Sequence, residues 1–208
     1  SNFKIFKYNP NPEVLTGEIE ILTNYSQRKR NLELRKKIFQ DKEDEQSIKE
    51  LERLDQLYTL GGVNFDSVII IDFGNNLKSV LTSLVYTDVS QTNVLFTTVN
   101  QWFDESIFFE NTIKTIYYPS INYKEFKKYN KLYFNKFNSY PNEITILTYD
   151  ALGLIYYAWK KNGSINSVNN FSFKNKIKGK IGTFYFNNKK VTQELNIYKT
   201  EDKKFKKF

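Results

Sequence analysis

Twelve residues, Phe65-Asp66-Ser67-Val68-Ile69-Ile70-Ile71-Asp72-Phe73-Gly74-Asn75-Asn76, constrain the fold most. Val68 to Ile71 is an unbroken β-branched run between polar markers. It is too short for a buried helix and lacks the polar alternation of a half-exposed strand, so it predicts a strand buried on both faces, as in a parallel sheet covered by helices. The chain then turns at Gly74. Leu77, Val80, Leu81 and Leu84 recur at helical spacing, and one helix face packs back on the sheet. A second apolar run, Val94 to Val99, completes a β-α-β unit with a right-handed crossover. In open α/β sheets ligands gather beyond the carboxyl ends of the strands, here Asp72 to Asn75 and Asn100 to Trp102.

Upstream, Phe3 to Tyr8 alternates apolar and polar residues and predicts a further strand containing Ile5. Asn11 fits an N-cap, with Pro12 at the first helical position and Glu13 near the positive end of the dipole. The helix that follows carries Val14, Leu15, Ile19, Leu22 and Tyr25 on one side and runs on to Ile38-Phe39. A charged break at Asp41 to Glu45 precedes a second helix with Ile48, Leu51, Leu54, Leu57 and Tyr58, stopped by Gly61-Gly62. The order strand, helical crossover, strand, helix, strand is half of a doubly wound fold.

The second half predicts a strand at Ile113 to Tyr118 ended by Pro119-Ser120. An aromatic helix follows from Tyr123 to Asn138, carrying Phe126, Tyr129, Tyr133 and Phe137. After a turn at Ser139 to Asn142, a more apolar helix holds Ile144, Leu147, Leu152, Ile155 and Trp159 and ends at Asn162-Gly163. A short helix near Phe171 to Ile177 is followed by strands at Gly182 to Phe186 and Val191 to Tyr198, joined by a turn at Asn187-Asn188. Phe205 to Phe208 adds an edge. The aromatic stripes are core material by their spacing.

Composition narrows the chemistry. The 208 residues contain no cysteine and no histidine. Disulfides and thiolate metal sites are excluded, and the commonest general base and metal ligand is missing. No G-x-G-x-x-G or G-x-x-x-x-G-K-[ST] loop is present, and Gly61-Gly62 precedes a strand, the wrong context for either. We therefore expect no cofactor, no metal, and no hydrolase, kinase or dehydrogenase activity. The net charge of +8 comes from cations interspersed with Glu and Asp, plus a cluster at Lys203 to Lys207. That pattern describes solvated faces and not a nucleic-acid groove. No run approaches the ~20 apolar residues of a membrane span. Ser1-Asn2 reads as a remnant or an internal cut, so targeting is not legible.

Several segments together resemble a family. Phe126-x-x-Tyr129, Phe137-x-x-Tyr140-Pro141 and Leu147-Thr148-Tyr149-Asp150-Ala151 are similar to a late segment of the type I periplasmic binding proteins. So are Gly179-x-x-Gly182-x-Phe184-x-Phe186, Leu195-x-Ile197-Tyr198 and Lys204-Phe205, in order. Phe65-Asp66-Ser67-Val68 resembles a second-lobe strand. Asn24-Tyr25-Ser26-Gln27-Arg28, Leu32-Glu33-x-Arg35, Leu51-x-Arg53-Leu54 and a Trp after the third strand are closest to the penicillin-binding protein activator branch.

The resemblance implies an α/β fold, three-layer, with a mainly parallel sheet flanked by helices. It implies a second-lobe domain over 1–117, a helical segment over 118–180 resembling part of the first lobe, and C-terminal strands over 181–208 returning to the second lobe. The first lobe's opening strands are missing. The apolar faces of helices 123–138 and 143–161 are then expected to be covered by an absent N-terminal lobe or by self-association. Tyr149-Asp150 resembles a packing and hinge feature, not a catalytic pair.

By family position, the ligand-binding wall comprises Tyr8, Asn11, Phe73, Asn75, Asn100, Gln101 and Trp102. Turn and capping roles compete for each of them. Amino-acid binders of the family carry an acidic residue near the third loop, where this chain reads Asn100-Gln101-Trp102. Two functions follow from the resemblance. One is a non-catalytic periplasmic regulator that acts on a peptidoglycan synthase, on an outer-membrane lipoprotein with its lipid anchor upstream. The other is the solute-binding component of an importer for a small polar ligand.

Overall fold

Residues 3–109, 113–187 and 190–208 are described by the computed structural model. Among them, six helices and eight strands make an α/β arrangement, and the chain divides into two units. The first unit comprises Ser1–Val99 and Asp104–Ile116, the second Asn100–Phe103 and Tyr117–Phe208.

In the first unit, Ser67–Ile70 is strand β1, Gly74–Tyr86 helix α4 and Leu95–Thr98 strand β2. β1 and β2 pair in parallel, with Ser67 opposite Leu95 and Ile70 opposite Thr98. Thr97 and Thr98 also donate their hydroxyls to Val68 O and Ile70 O across the pair. Leu77, Val80, Leu81 and Leu84 of α4 are all buried, as their spacing requires. The expectation of a strand buried on both faces fails. Ile70 is buried, but Ile69 is 61% and Ile71 75% exposed, and Leu95 of β2 is exposed beside them. The pair is packed on one face and bare on the other.

Three helices precede this unit's strands: α1 (Pro12–Leu22), α2 (Tyr25–Gln40) and α3 (Glu45–Asp55). Asn11 caps α1, its side chain accepting from Glu13 N–H at 3.1 Å, with Pro12 at the first position. The single helix expected over 12–39 is broken at Asn24, which adopts a left-handed φ of 51°. Asparagine tolerates that region better than other non-glycine residues. α3 stops at Asp55, before Leu57 and Tyr58. The segment beyond is drawn to α2 instead. Leu60 N–H donates to Arg28 O, and Thr59 and Gly61 accept from the Arg28 guanidinium.

Phe3 to Tyr8 is not a strand. Phe3 and Ile5 are both largely exposed, and β1 takes β2 as its ladder partner. β1 ends its sheet with one edge open, yet the segment does not add to it: alternation alone does not make a strand. Its far end is held by Tyr8 and by Asn9 N–H, which donates to Glu18 at 2.6 Å.

In the second unit, β3 (Tyr117–Ser120), β7 (Asn196–Glu201) and β8 (Lys204–Lys207) are antiparallel neighbours. β4 (Ile177–Lys178), β5 (Thr183–Asn187) and β6 (Lys190–Glu194) form a separate antiparallel sheet. The mainly parallel sheet is thus corrected to a mixed arrangement. β3 also begins later than expected and contains Pro119. The N–H groups of Lys114 and Thr115 go to Gln91 Oε1 at 3.0 and 2.9 Å, which takes them out of any ladder. The strand expected over 191–198 is two strands in two sheets, divided at Leu195. The helix expected at 171–177 is a 3-10 turn at Val168–Phe171, followed by β4. The expected turn at Asn187-Asn188 reaches outside the described residues.

The edge expected at 205–208 is present as β8. Its hairpin turns through Asp202 and Lys203, both with positive φ, as a two-residue type I′ loop requires. Glu201 at the turn accepts from Lys199 Nζ at 2.8 Å and Lys206 Nζ at 2.6 Å. These bonds pull its pKa from 4.5 down to about 2. A depressed carboxylate stabilises the fold above its unfolded pKa and loses that contribution as pH falls through the folded value. The hairpin's ion pairs therefore hold at neutral pH and weaken from about pH 4 downward to about 2. A side-chain carboxyl NMR titration should place the Glu201 midpoint near the lower figure. A midpoint at the ordinary ~4.3 would remove the ion pairs from the account.

Helices α5 (Tyr123–Phe137) and α6 (Glu143–Asn162) lie where their spacing puts them. Asn122 and Asn142 cap their N-termini. Phe103 sits at the centre of this unit's aromatic core, with Tyr123, Tyr198, Phe126 and Phe205 ring centroids 4.6, 4.9, 5.3 and 5.3 Å away. α6 ends on Gly163 at φ 73°, whose N–H reaches Trp159 O. Gly163→Ala is expected to cost about 1 kcal/mol, because a Cβ is strained at that φ. Urea denaturation reads this directly, and an unchanged midpoint would contradict it.

Candidate functional site

The carboxyl end of β1 carries a polar cluster in the first unit. Asp72 follows the strand, and its Oδ1 accepts the Phe73 N–H at 2.8 Å. Its Oδ2 accepts the Tyr8 hydroxyl at 2.6 Å. Burial raises the Tyr8 pKa first, and the Asp72 hydrogen bond and charge raise it further. The phenol stays protonated and acts as a donor only to Asp72. Gly74 then takes a φ of 53° and turns the chain into α4.

From there one side of α4 presents Asn75, Lys78, Ser79, Thr82 and Ser83. With Pro12, Leu15 and Thr16 of α1 these residues line an open groove of about 380 Å³. Lys78 is the groove's one charged residue. Its Nζ donates to Ser106 Oγ at 3.2 Å, and Ser106 in turn donates to Asp104 Oδ2 at 2.6 Å. Hydroxyls, an amide and one ammonium favour a ligand rich in hydrogen-bond acceptors. The lining holds no carboxylate to receive a substrate ammonium. Among the described residues, no group of three or more His, Cys, Asp or Glu could hold a metal ion.

The seven residues singled out in the sequence fall in both units. Tyr8, Asn11, Phe73 and Asn75 belong to the first. Tyr8 is tied to Asp72 beside Phe73, and Phe73 is exposed at the N-cap of α4. Asn11 is occupied as a helix cap, while Asn75 lines the groove. Asn100, Gln101 and Trp102 belong to the second unit. Asn100 is exposed. Gln101 is held to β3 through its backbone, N–H to Pro119 O and carbonyl from the Ser120 hydroxyl. Trp102 packs against Phe126 at 6.2 Å.

Two polar sites that the sequence did not single out for chemistry are structural. Arg28 is buried and distributes its donors over Gly61 O, Thr87 O, Thr59 Oγ1 and Asp88 O at 2.8–2.9 Å. Asp150 is buried in the second unit and accepts the N–H groups of Lys180, Ile181 and Gly182 at 2.6, 3.1 and 3.0 Å. Tyr149 points elsewhere, exposed and edge-on to Tyr129. One signal for Asp150 was present: a lone carboxylate inside an apolar helix needs donors nearby. The groove had one too, since Asn75, Lys78, Ser79 and Thr82 form a polar stripe opposite the leucines of α4.

No protein-family model and no curated protein matches this chain. Among the described residues, no helix is long and apolar enough to cross a membrane.

Proposed function

We propose that this chain is a non-catalytic binding-protein-like domain that works by docking a protein partner, in the manner of a penicillin-binding protein activator regulating a peptidoglycan synthase. The supporting observation is the bare face of the β1–β2 pair. Ile69, Ile71 and Leu95 stand together on it, with Phe73 exposed at the end of the strand. Contiguous exposed apolar side chains on a sheet mark protein interaction sites, and β-branched residues on a rigid pair lose little entropy on docking. The sequence resemblance supplies the partner class and a periplasmic location. The partner surface would be apolar and complementary to a flat, two-stranded patch.

The test is retention of the chain on an immobilised peptidoglycan synthase. Ile69→Lys and Ile71→Lys each place a charge in the centre of the patch at exposed positions. Each is expected to weaken retention by at least about tenfold, the scale of an interface hot spot, with an unchanged circular dichroism spectrum. Undiminished retention of both variants would refute the site, and no retention of the parent chain would refute the partner.

A second reading, the solute-binding component of an importer, is favoured by the groove between α1 and α4. A small polar ligand held by Lys78, Ser79 and Asn75 at one hundred times its Kd would stabilise the fold by about 2.7 kcal/mol. Lys78→Ala would abolish that thermal shift. A silent panel of amino acids and small polar acids would remove this reading and leave the first intact.

A further inference from the structure

We propose that the outer stripe of α6 pairs antiparallel with the same stripe of a second copy of this chain. α6 buries Ile146, Asp150 and Ala158 on its inner side. On the opposite side Ile144, Leu152, Ile155, Tyr156 and Trp159 are 46–72% exposed. A helix that is apolar on both sides is built to be covered on both. The one ionisable acid within the stripe's span, Asp150, is turned inward to the backbone of residues 180–182.

Area and charge select a second copy as the occupant. At about 200 Å² for a fully bared large side chain, these five present roughly 600 Å². Two copies would bury roughly 1,200 Å², the lower end of the range for specific interfaces. The pattern is also self-complementary. About a midpoint between Ala151 and Leu152, Ile144 of one copy falls opposite Trp159 of the other, and Thr148 opposite Ile155. The antiparallel sense sets the Glu143 end of one helix beside the Lys160-Lys161 end of its partner, whereas the parallel sense stacks lysine on lysine. Each copy carries a net charge of +8. Repulsion between copies is screened by salt, so association tightens as ionic strength rises. The stripe shares no residue with the β1–β2 face, so the two proposals stand or fall separately.

The test uses the full 208-residue chain in sedimentation equilibrium across a wide concentration range at low and moderate salt. A monomer–dimer equilibrium that strengthens with salt is expected, and Leu152→Glu should shift it at least tenfold toward monomer without altering helix content. Because the chain has no cysteine, single thiols report the register under an added oxidant. Leu152→Cys, near the two-fold midpoint, should cross-link to itself. Ile144→Cys lies roughly 20 Å along the helix from its own copy and should do so only when mixed with Trp159→Cys. A chain that stays monomeric at every concentration and salt overturns the proposal. Equal self-cross-linking at Ile144→Cys and Leu152→Cys does so as well.

Discussion

Replacing Arg28 by methionine is expected to lower the unfolding free energy by about 2–4 kcal/mol. Arg28 is 6% exposed. Nε donates to Gly61 O, Nη1 to Thr87 O, and Nη2 to both Thr59 Oγ1 and Asp88 O. It therefore ties α2 to the segment after α3 and to the C-terminal end of α4. Carbonyls at a helix C-terminus carry partial negative charge, and a cation there is favourable. Burial lowers the Arg28 pKa, Asp88 opposes that, and the group remains charged. Methionine fills most of the volume but leaves the buried Thr87 carbonyl and the partly buried Gly61 and Asp88 carbonyls without their donor, each buried group costing about 1–3 kcal/mol and the others less, as water recovers them. The ion pair itself is secondary: Asp88 Oδ2 lies 3.9 Å away and its side chain is partly exposed. Asp88→Asn keeps a residue that tolerates the left-handed φ of 59° and should cost no more than about 1 kcal/mol. Arg28→Lys should behave like the methionine variant, because one ammonium cannot span the four acceptors. Urea denaturation of the three variants separates these terms. A loss below about 1 kcal/mol for Arg28→Met, or equal losses for Arg28→Met and Asp88→Asn, would sink the carbonyl account.

What the sequence made legible follows from how local each signal is. α4, α5 and α6 were readable because helical periodicity and asparagine or glycine ends are written within the element itself. The parallel β1–β2 pair was readable because the α4 crossover leaves few other ways to join two such runs. The bare face of β1 was not. Four β-branched residues state a preference for a strand, but coverage depends on what else the chain brings to that face, and among the described residues Ile69 and Ile71 stay exposed. The same limit explains Phe3 to Tyr8, an alternating run that the open edge of β1 does not take up. Where long-range side chains intervene, boundaries move: Gln91 captures the donors of Lys114 and Thr115, and Arg28 ends the reach of α3.

The candidate sites show the same division. Asn11 could be assigned to its cap from five residues of sequence. The Tyr8–Asp72 hydrogen bond spans 64 positions, and no local pattern announces it. The groove lies between those cases. Its α4 side was visible as a polar stripe, while its α1 side, Thr16 with Pro12 and Leu15, required the packing of two helices.

Asp150→Asn is expected to destabilise the second unit by about 2–4 kcal/mol, as charge-assisted hydrogen bonds to a buried carboxylate are lost or weakened. The carboxylate is fully committed. Oδ1 takes Lys180 N–H at 2.6 Å, and Oδ2 takes Ile181 and Gly182 N–H at 3.1 and 3.0 Å. Three successive backbone donors converging on one anion make a nest, closed by Gly179 N–H on Gly182 O at 2.8 Å. Asparagine replaces one acceptor oxygen with an NH2 group that faces donors, so at least one bond becomes a repulsion. Alanine removes all three, leaves the Ile181 and Gly182 donors buried without a partner carboxylate, and should cost at least as much. The loop's glycines are fixed by the same contact. A Cβ on Gly179 would stand 2.8 Å from the Asp150 carboxylate, and one on Gly182 would meet the Gln193 side chain. Gly179→Ala should therefore destabilise, and combined with Asp150→Ala it should cost less than the sum of the two, because the obstructing carboxylate is gone. That sub-additivity, read from a double-mutant cycle in urea, is what distinguishes a carboxylate clamped by a nest from a buried acid tolerated by chance. Strict additivity, or an Asp150→Asn variant as stable as the parent, would show that the nest does not hold α6 to the loop that leads into β5.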